Sequence, residues 1–415
     1  MPRRGPLHAY QTSLGPEKVQ RKSPHNFFFT MKADHRFYWD AILNNIKRVT
    51  FFAFLPILIA KLGASNLVIA ASNSVPEFFA ALSLAFVTRH LPVTRNVFLV
   101  AGYTRQIAFL CMALSVLLPN PFPYMLFFWG INAFSVMVTA AQQPAIMRRH
   151  IEQNTLLKVI DNTKLIGVVI FTAGSFVVGS TLDATQSWFP RNYVAFMLVG
   201  CLATFAGMAL IAELAPRDNI RLAFRPRLPL SECNRSMWWM ALDSLGIAME
   251  IPLFVIYHVK VLTFNNTQIA LFFAASGAFS VIGLPLTRSL RKHLGETKMY
   301  GLSVIVMAGV FMPYGLIQSF WFLLVLQALN GVAVAVYDVT KQGLMISDAT
   351  NHTHEMGYFS DFQLIMHSSL AVGPLLAAFL LELLPIWSCF AIIALLRMIF
   401  FLSKPQVMPS LHYRP

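Results

Sequence analysis

An all-α membrane protein of twelve transmembrane helices, arranged as two six-helix halves, is the fold class the sequence predicts. Three observations predict it: a composition short of polar residues, twelve apolar segments of membrane-crossing length, and landmarks that recur about 199 residues apart. Of the 415 residues, 56% are hydrophobic and 12% charged, with a mean hydropathy of +0.60. That leaves too little polar material to cover a soluble surface of this size, so lipid is the solvent for most of the chain.

The first 30 residues hold Arg3, Arg4, Lys18, Arg21 and Lys22 among Pro, Ser and Gln, with no long apolar run. A disordered tail over 1–36 is expected there, not a cleavable signal, and Met31 offers an alternative start. The spans then follow at roughly 37–60, 66–87, 97–118, 122–147, 157–181 and 192–214, which make the N-terminal half. A basic connector rich in Arg and Pro covers 215–236. Spans at roughly 237–258, 266–286, 299–318, 320–345, 357–381 and 384–403 make the C-terminal half, and 404–415 is a second tail.

An even number of spans puts both termini on one side. That side collects 24 of the 32 Lys and Arg: seven in the N-tail, two near 88–96, four in 148–164, five in 215–236, four in 287–298 and two in the C-tail. The opposite side has Lys61, Arg191 and Lys260. The positive-inside rule therefore puts both termini in the cytoplasm, with the plasma membrane (a bacterial inner membrane, for a bacterial chain) as the expected location. The formal charge of +14 is then topology and contact with membrane lipids, not a nucleic-acid patch. Trp188 and Phe189, with Trp238 and Trp239, fit interfacial aromatic belts. Cys111, Cys201, Cys233 and Cys389 are scattered without metal-ligand spacing, so no metal is expected.

The halves repeat. Ser65-Asn66 lines up with Asn265-Asn266, Thr88-Arg89 with Thr287-Arg288, and Gln142-Gln143-Pro144 with Lys341-Gln342-Gly343. Lys164-Leu-Ile with Gly174 matches Gln363-Leu-Ile with Gly373. A near-constant offset at equivalent span positions reads as duplication around a central cavity.

On these residues the chain resembles the major facilitator superfamily of secondary transporters over 37–403. Gly283-Leu-Pro-Leu-Thr287-Arg288-Ser-Leu-Arg291-Lys292 is similar to the family's Gly-x-x-x-Asp-Arg loop, with Thr in place of Asp, and the copy ending Thr88-Arg89 also lacks the Gly. The resemblance implies cytoplasmic gating loops carried by Arg89, Gly283, Arg288 and Arg291. Arg95-Asn-Val-Phe-Leu-Val-Ala-Gly102-Tyr-Thr-Arg105 and Pro144-Ala145 running into Leu156-Leu157-Lys158 look like the drug and siderophore exporter branch. That branch often has acids where Gly102 and Arg48 stand.

An ionisable group in a bilayer costs from about 2.5 kcal/mol upward, so each needs a partner, water or a purpose. Span one carries Asn44, Asn45, Lys47 and Arg48, span two Glu77 beside Pro76, span three Arg105, and span four Gln142 and Gln143. At about 1.5 Å per residue, Arg48, Glu77 and Arg105 lie at similar depth, and a cluster of the three is expected. Alternatively, the three form an ion-pair network that only orients helices. The C-terminal half carries Asp243 and Glu250 two turns apart without a local cation, then Asp338 and Lys341, then Asp361 and His367. Asp338 with Lys341, and Asp161 with Lys164, at i and i+3, have the spacing of local pairs. Asp243 and Glu250 are expected to titrate or to meet the basic cluster of the other half, and His367 to sense protons or simply to pack.

No nucleotide-binding loop, zinc set or nucleophile with a placed base occurs, so neither catalysis nor a cofactor is expected. The expected activity is alternating-access transport of a small organic solute, coupled to protons or another ion, by a monomer. Export of a drug-like or siderophore-like compound is the first expectation. Uptake or exchange of an organic anion, motivated by Lys47, Arg48 and Arg105, is the alternative. A non-transporting scaffold that keeps the fold is the third, and it would close the centre with apolar side chains.

Overall fold

The computed structural model describes residues 31–87, 91, 94–216, 230, 233–349 and 355–402. Their regular structure is entirely helical, joined by short turns, with no strand among them. The helices are α1 (Ala33–Lys61), α2 (Asn66–Val87), α3 (Arg95–Ser115), α4 (Phe122–His150), α5 (Gln153–Ala184), α6 (Arg191–Ala212), α7 (Ser236–Val261), α8 (Asn266–Arg291), α9 (His293–Leu316), α10 (Phe320–Ala349), α11 (Glu355–Leu383) and α12 (Ile386–Leu402). The first eleven contain segments long and apolar enough to cross a membrane. The twelfth has 17 residues, of which only Arg397 is charged.

Local chemistry explains where helices start and bend. Ser65, Thr94, Asn234 and Asn265 accept the backbone N–H of the third residue beyond them, which starts α2, α3, α7 and α8. Helix α1 widens into a π turn at Arg48–Phe52 and resumes at Leu55 just ahead of Pro56. Such turns splay side chains that a regular helix would stack. In α2, Pro76 has no N–H for the Ser72 carbonyl, and Trp129 Nε1 of α4 donates to that carbonyl instead, at 2.9 Å. A proline next to Glu77 is thereby accommodated without an orphaned acceptor. After α8, the chain turns at Gly295, φ 74°, within the first turn of α9.

Helices pack as two equivalent bundles. In the first, α1 lies against α5 and α6, and α2 against α4; in the second, α7 lies against α11 and α12, and α8 against α10. The bundles meet along two seams, α2 with α11 and α5 with α8. One apolar core fills the second bundle around Leu253, Tyr257, Phe272, Tyr314 and Phe390. The core of the first, around Phe51, Phe54, Leu58, Phe109 and Met112, continues across the divide to Ile256, Ile269 and Ala270. On the outside, Val100, Tyr103, Ile107, Leu110 and Leu114 make an exposed stripe along α3, while Phe109 and Met112 face inward. An apolar stripe of that length turned away from the core is a lipid-facing surface.

Candidate functional site

The halves are fastened at the end opposite the basic loops. Asp183, at the end of α5, accepts from the Asn266 and Thr267 backbone N–H groups at 3.0 and 2.7 Å and from Thr267 Oγ1 at 2.6 Å. A carboxylate from one half thus occupies the positive end of a helix in the other. Lys61 Nζ donates to Asn266 Oδ1 at 2.8 Å, and Tyr193 donates to the same oxygen at 2.6 Å. In the reciprocal sense, Lys260 Nζ donates to Asn66 Oδ1 at 3.0 Å and to the Ala64 carbonyl at 2.6 Å. Lys61 and Lys260, like Asn66 and Asn266, stand at equivalent positions of the repeat. Close packing seals the same seam. A Cβ on Gly179 of α5 would lie 2.5 Å from Ala270 Cβ and 2.7 Å from the Asn266 carbonyl, so only glycine lets α5 and α8 approach this far.

Toward the basic end the centre is open and polar. Arg48, Lys164, Asp338, Gln342 and Gln363 are exposed although each lies within a membrane-length helix. Asp338 of α10 is acted on by Lys341 on its own helix and by Lys164 and Arg48 of the opposite half, so it faces the space between the bundles. Lys164 Nζ donates to Gln342 Oε1 at 3.2 Å across that space. The Arg48 guanidinium rests 4.7 Å from the Phe171 ring centroid and makes no hydrogen bond or ion pair. Lys341 Nζ donates to Ser244 Oγ at 2.8 Å. Along the α2–α11 seam, Glu77 Oε2 and His367 Nδ1 are 2.5 Å apart.

The Arg48, Glu77 and Arg105 cluster expected from equal depth does not form. Glu77 turns to His367 in the other half, because residues of equal depth meet only when their helices also turn them toward each other. Arg105 and Lys47 instead lie within the first bundle, where their counter-charge is Asp40. Asp40 accepts from Asn44 Nδ2 at 2.8 Å and from Gln143 Nε2 at 3.4 Å. Lys47 is buried with its ammonium 4.6 Å from the Phe52 ring centroid. Asn45 bonds the Ala41 carbonyl on its own helix, and the buried Gln142 amide has no partner.

Asp243 and Glu250 do not reach across either. Arg397 of α12 takes both: Nε bonds Asp243 at 3.1 Å and Nη1 bonds the two Glu250 oxygens at 3.0 and 3.2 Å. Tyr300 adds a bond to Asp243 at 2.9 Å. All three charged groups are buried, and Arg397 reaches them past Gly246, where a Cβ would lie 2.7 Å from Arg397 Cγ. The Asp338 and Lys341 pair expected at i and i+3 makes no direct bond. Lys164, expected in a surface pair with Asp161, reaches α10, and the Asp161 side chain lies outside the described residues. Asp361 accepts the Leu230 backbone N–H at 3.0 Å, away from the central space.

Of the expected loop residues, Arg89 lies outside the described residues, as does the Arg288 side chain. Arg291 pairs with Glu296. A Cβ on Gly283 would lie 2.8 Å from the Val332 carbonyl, the close contact of α8 with α10. No group of three or more metal-ligating side chains occurs among the described residues. Asp40, Asp183 and Arg397 are the charges sequence reasoning passed over. A lone Arg in the apolar run Ile-Ile-Ala-Leu-Leu-Arg397-Met-Ile-Phe-Phe was the available signal for the last.

A family model, Major Facilitator Superfamily, matches residues 237–410. No curated protein sequence matches the chain. Among solved structures, a mutant of the nucleoside transporter NupG is similar with a TM-score of 0.70 at 13% identity, covering 89% of this chain and 98% of that one. A bacterial homologue of the iron transporter ferroportin, in its inward-facing state, is similar with a TM-score of 0.68 at 11% identity over 89% and 97%. The human organic anion transporter MFSD10 (TETRAN) is similar with a TM-score of 0.61 at 15% identity over 90% and 99%. At these identities the likeness is one of fold.

Proposed function

Because the chain has the major facilitator fold over its described helices, with that superfamily's sequence over residues 237–410, we propose that it is a secondary transporter. It moves a small organic solute by alternating access. The observation that carries this reading is the contrast between its two ends. Bonds from Asp183, Lys61 and Lys260 fasten the halves at one end, while Arg48, Asp338 and Lys164 stand exposed in a polar centre at the other. A scaffold has no use for several exposed charges at that depth, which are costly to keep. By the positive-inside rule the basic end is cytoplasmic, so this is an inward-open state in the plasma membrane, with both termini inside.

The driving ion in this reading is the proton. Glu77 and His367 are the coupling pair in this reading, since they join the halves carboxylate to imidazole across the α2–α11 seam. A bond that depends on protonation biases the equilibrium between two arrangements of the halves. Export is the direction we assign, on the likeness of the Arg95 to Arg105 and Pro144 to Lys158 stretches to exporters. The test is flux into proteoliposomes with an imposed pH gradient, across a panel of anions, cations and neutral amphiphiles. Solute movement against the proton flow, abolished when the gradient is collapsed, is expected. Absence of gradient-driven flux for every solute, from protein shown to be folded and inserted, overturns the reading.

A further inference from the structure

The central space holds more positive than negative charge. Arg48 of α1, Lys164 of α5 and Lys341 of α10 all act on the carboxylate of Asp338, and Lys341 also feels Asp243, whose own bonded partner is Arg397. The other candidate anions are committed elsewhere: Asp40 to Asn44, Gln143 and the Lys47 and Arg105 charges, Asp243 and Glu250 to Arg397, and Glu77 to His367. Lys164 and Lys341 reach only neutral oxygens, on Gln342 and Ser244. Arg48 has no hydrogen-bonding partner, only the face of Phe171. A guanidinium presents five donors in a planar fork that matches a carboxylate or phosphate edge. Beside it, Phe171, Phe273 and Phe54 form a run of aromatic contacts that crosses between the halves.

We infer that the cargo of this site is a small organic anion whose carboxylate or phosphate is held by Arg48 and Lys341, with its apolar part against Phe171 and Phe273. This rests on the transport reading and names its substrate class. Lys47 and Arg105, which lie beside Asp40 inside the first bundle, take no part. The geometry also gives the anion a second effect. Arg48 and Lys164 belong to one half and Lys341 to the other, so a bound anion adds a charged link between the halves to the single Lys164–Gln342 bond described across the open space. Loading the site draws the open end closed.

The experiment measures thermal stabilisation and flux with the full-length protein, using benzoate and phenyl phosphate as anionic probes. Benzamide and benzyltrimethylammonium are the neutral and cationic controls. Either anion should raise the melting temperature and both controls leave it unchanged; the stronger of the two distinguishes carboxylate from phosphate. Arg48→Gln and Lys341→Gln should each weaken anion binding about tenfold, the weight of one charge-assisted hydrogen bond. Arg48→Lys should retain part of it, and Arg191→Gln, at the opposite end, should change nothing.

Stabilisation by benzamide or the cation in preference to the anions overturns the inference, as does anion binding that survives both Gln variants. Flux of neutral or cationic solutes with anions inert leaves transport standing and removes the anion. Anion binding lost in Arg48→Gln without flux of any solute upholds the site and removes transport.

Discussion

Arg397 shows how one side chain can hold a bundle together. It bonds two buried carboxylates, and burial of all three groups is tolerable only while those bonds persist. Replacing Arg397 with Met leaves two buried acids without their bonded cation and should destabilise the protein by about 3–5 kcal/mol. Restoring neutrality with Asp243→Asn and Glu250→Gln should return most of that loss in a melting curve. Gly246→Ala tests the same group from the other side. Its new methyl competes with Arg397 Cγ for space, and overpacking of this kind costs about 1–3 kcal/mol. At this scale the sequence was only partly legible. It exposed Asp243 and Glu250 as charges needing a partner but not the partner's identity, since position along the chain says nothing about which residues of α12 turn toward α7. Depth alone likewise matched Glu77 with Arg48 and Arg105, whereas azimuth decides that it meets His367.

Helices α5 and α8 carry the contact between halves at the closed end, and Asp183 is its charged element. A carboxylate accepting two backbone N–H groups at a helix start is both a cap and a favourable partner for the helix dipole, together about 1 kcal/mol. Asp183→Asn should therefore shift the population toward an outward-open form by roughly fivefold. With the four native cysteines replaced by Ser, a cysteine introduced at Ala64 should react faster with an impermeant maleimide from the outside in that variant. An unchanged rate would remove Asp183 from the seal. Element existence and order were readable from hydropathy, because a span needs length and apolarity and little else. The wide turn at Arg48–Phe52 was not, since the proline that ends it lies beyond the residues it splays.

For the whole molecule, duplication was written in the sequence, and it is duplication that gives the two bundles matching seams. Coupling across those seams is testable. His367→Gln and Glu77→Gln should each abolish flux driven by a pH gradient while solute exchange without a gradient continues, because they remove the contact of Glu77 with His367 and leave the Arg48 and Lys341 site intact. Loss of both modes together would make the pair structural.

The mirrored reach of Lys61 to Asn266 and Lys260 to Asn66 carries one more consequence. Two clasps in parallel give redundancy: with one cut, the remaining tether still limits separation, so single Lys→Ala variants should look nearly native in outside accessibility. Cutting both should release the seam by more than the two single effects combined, a signature a double-mutant cycle reads directly.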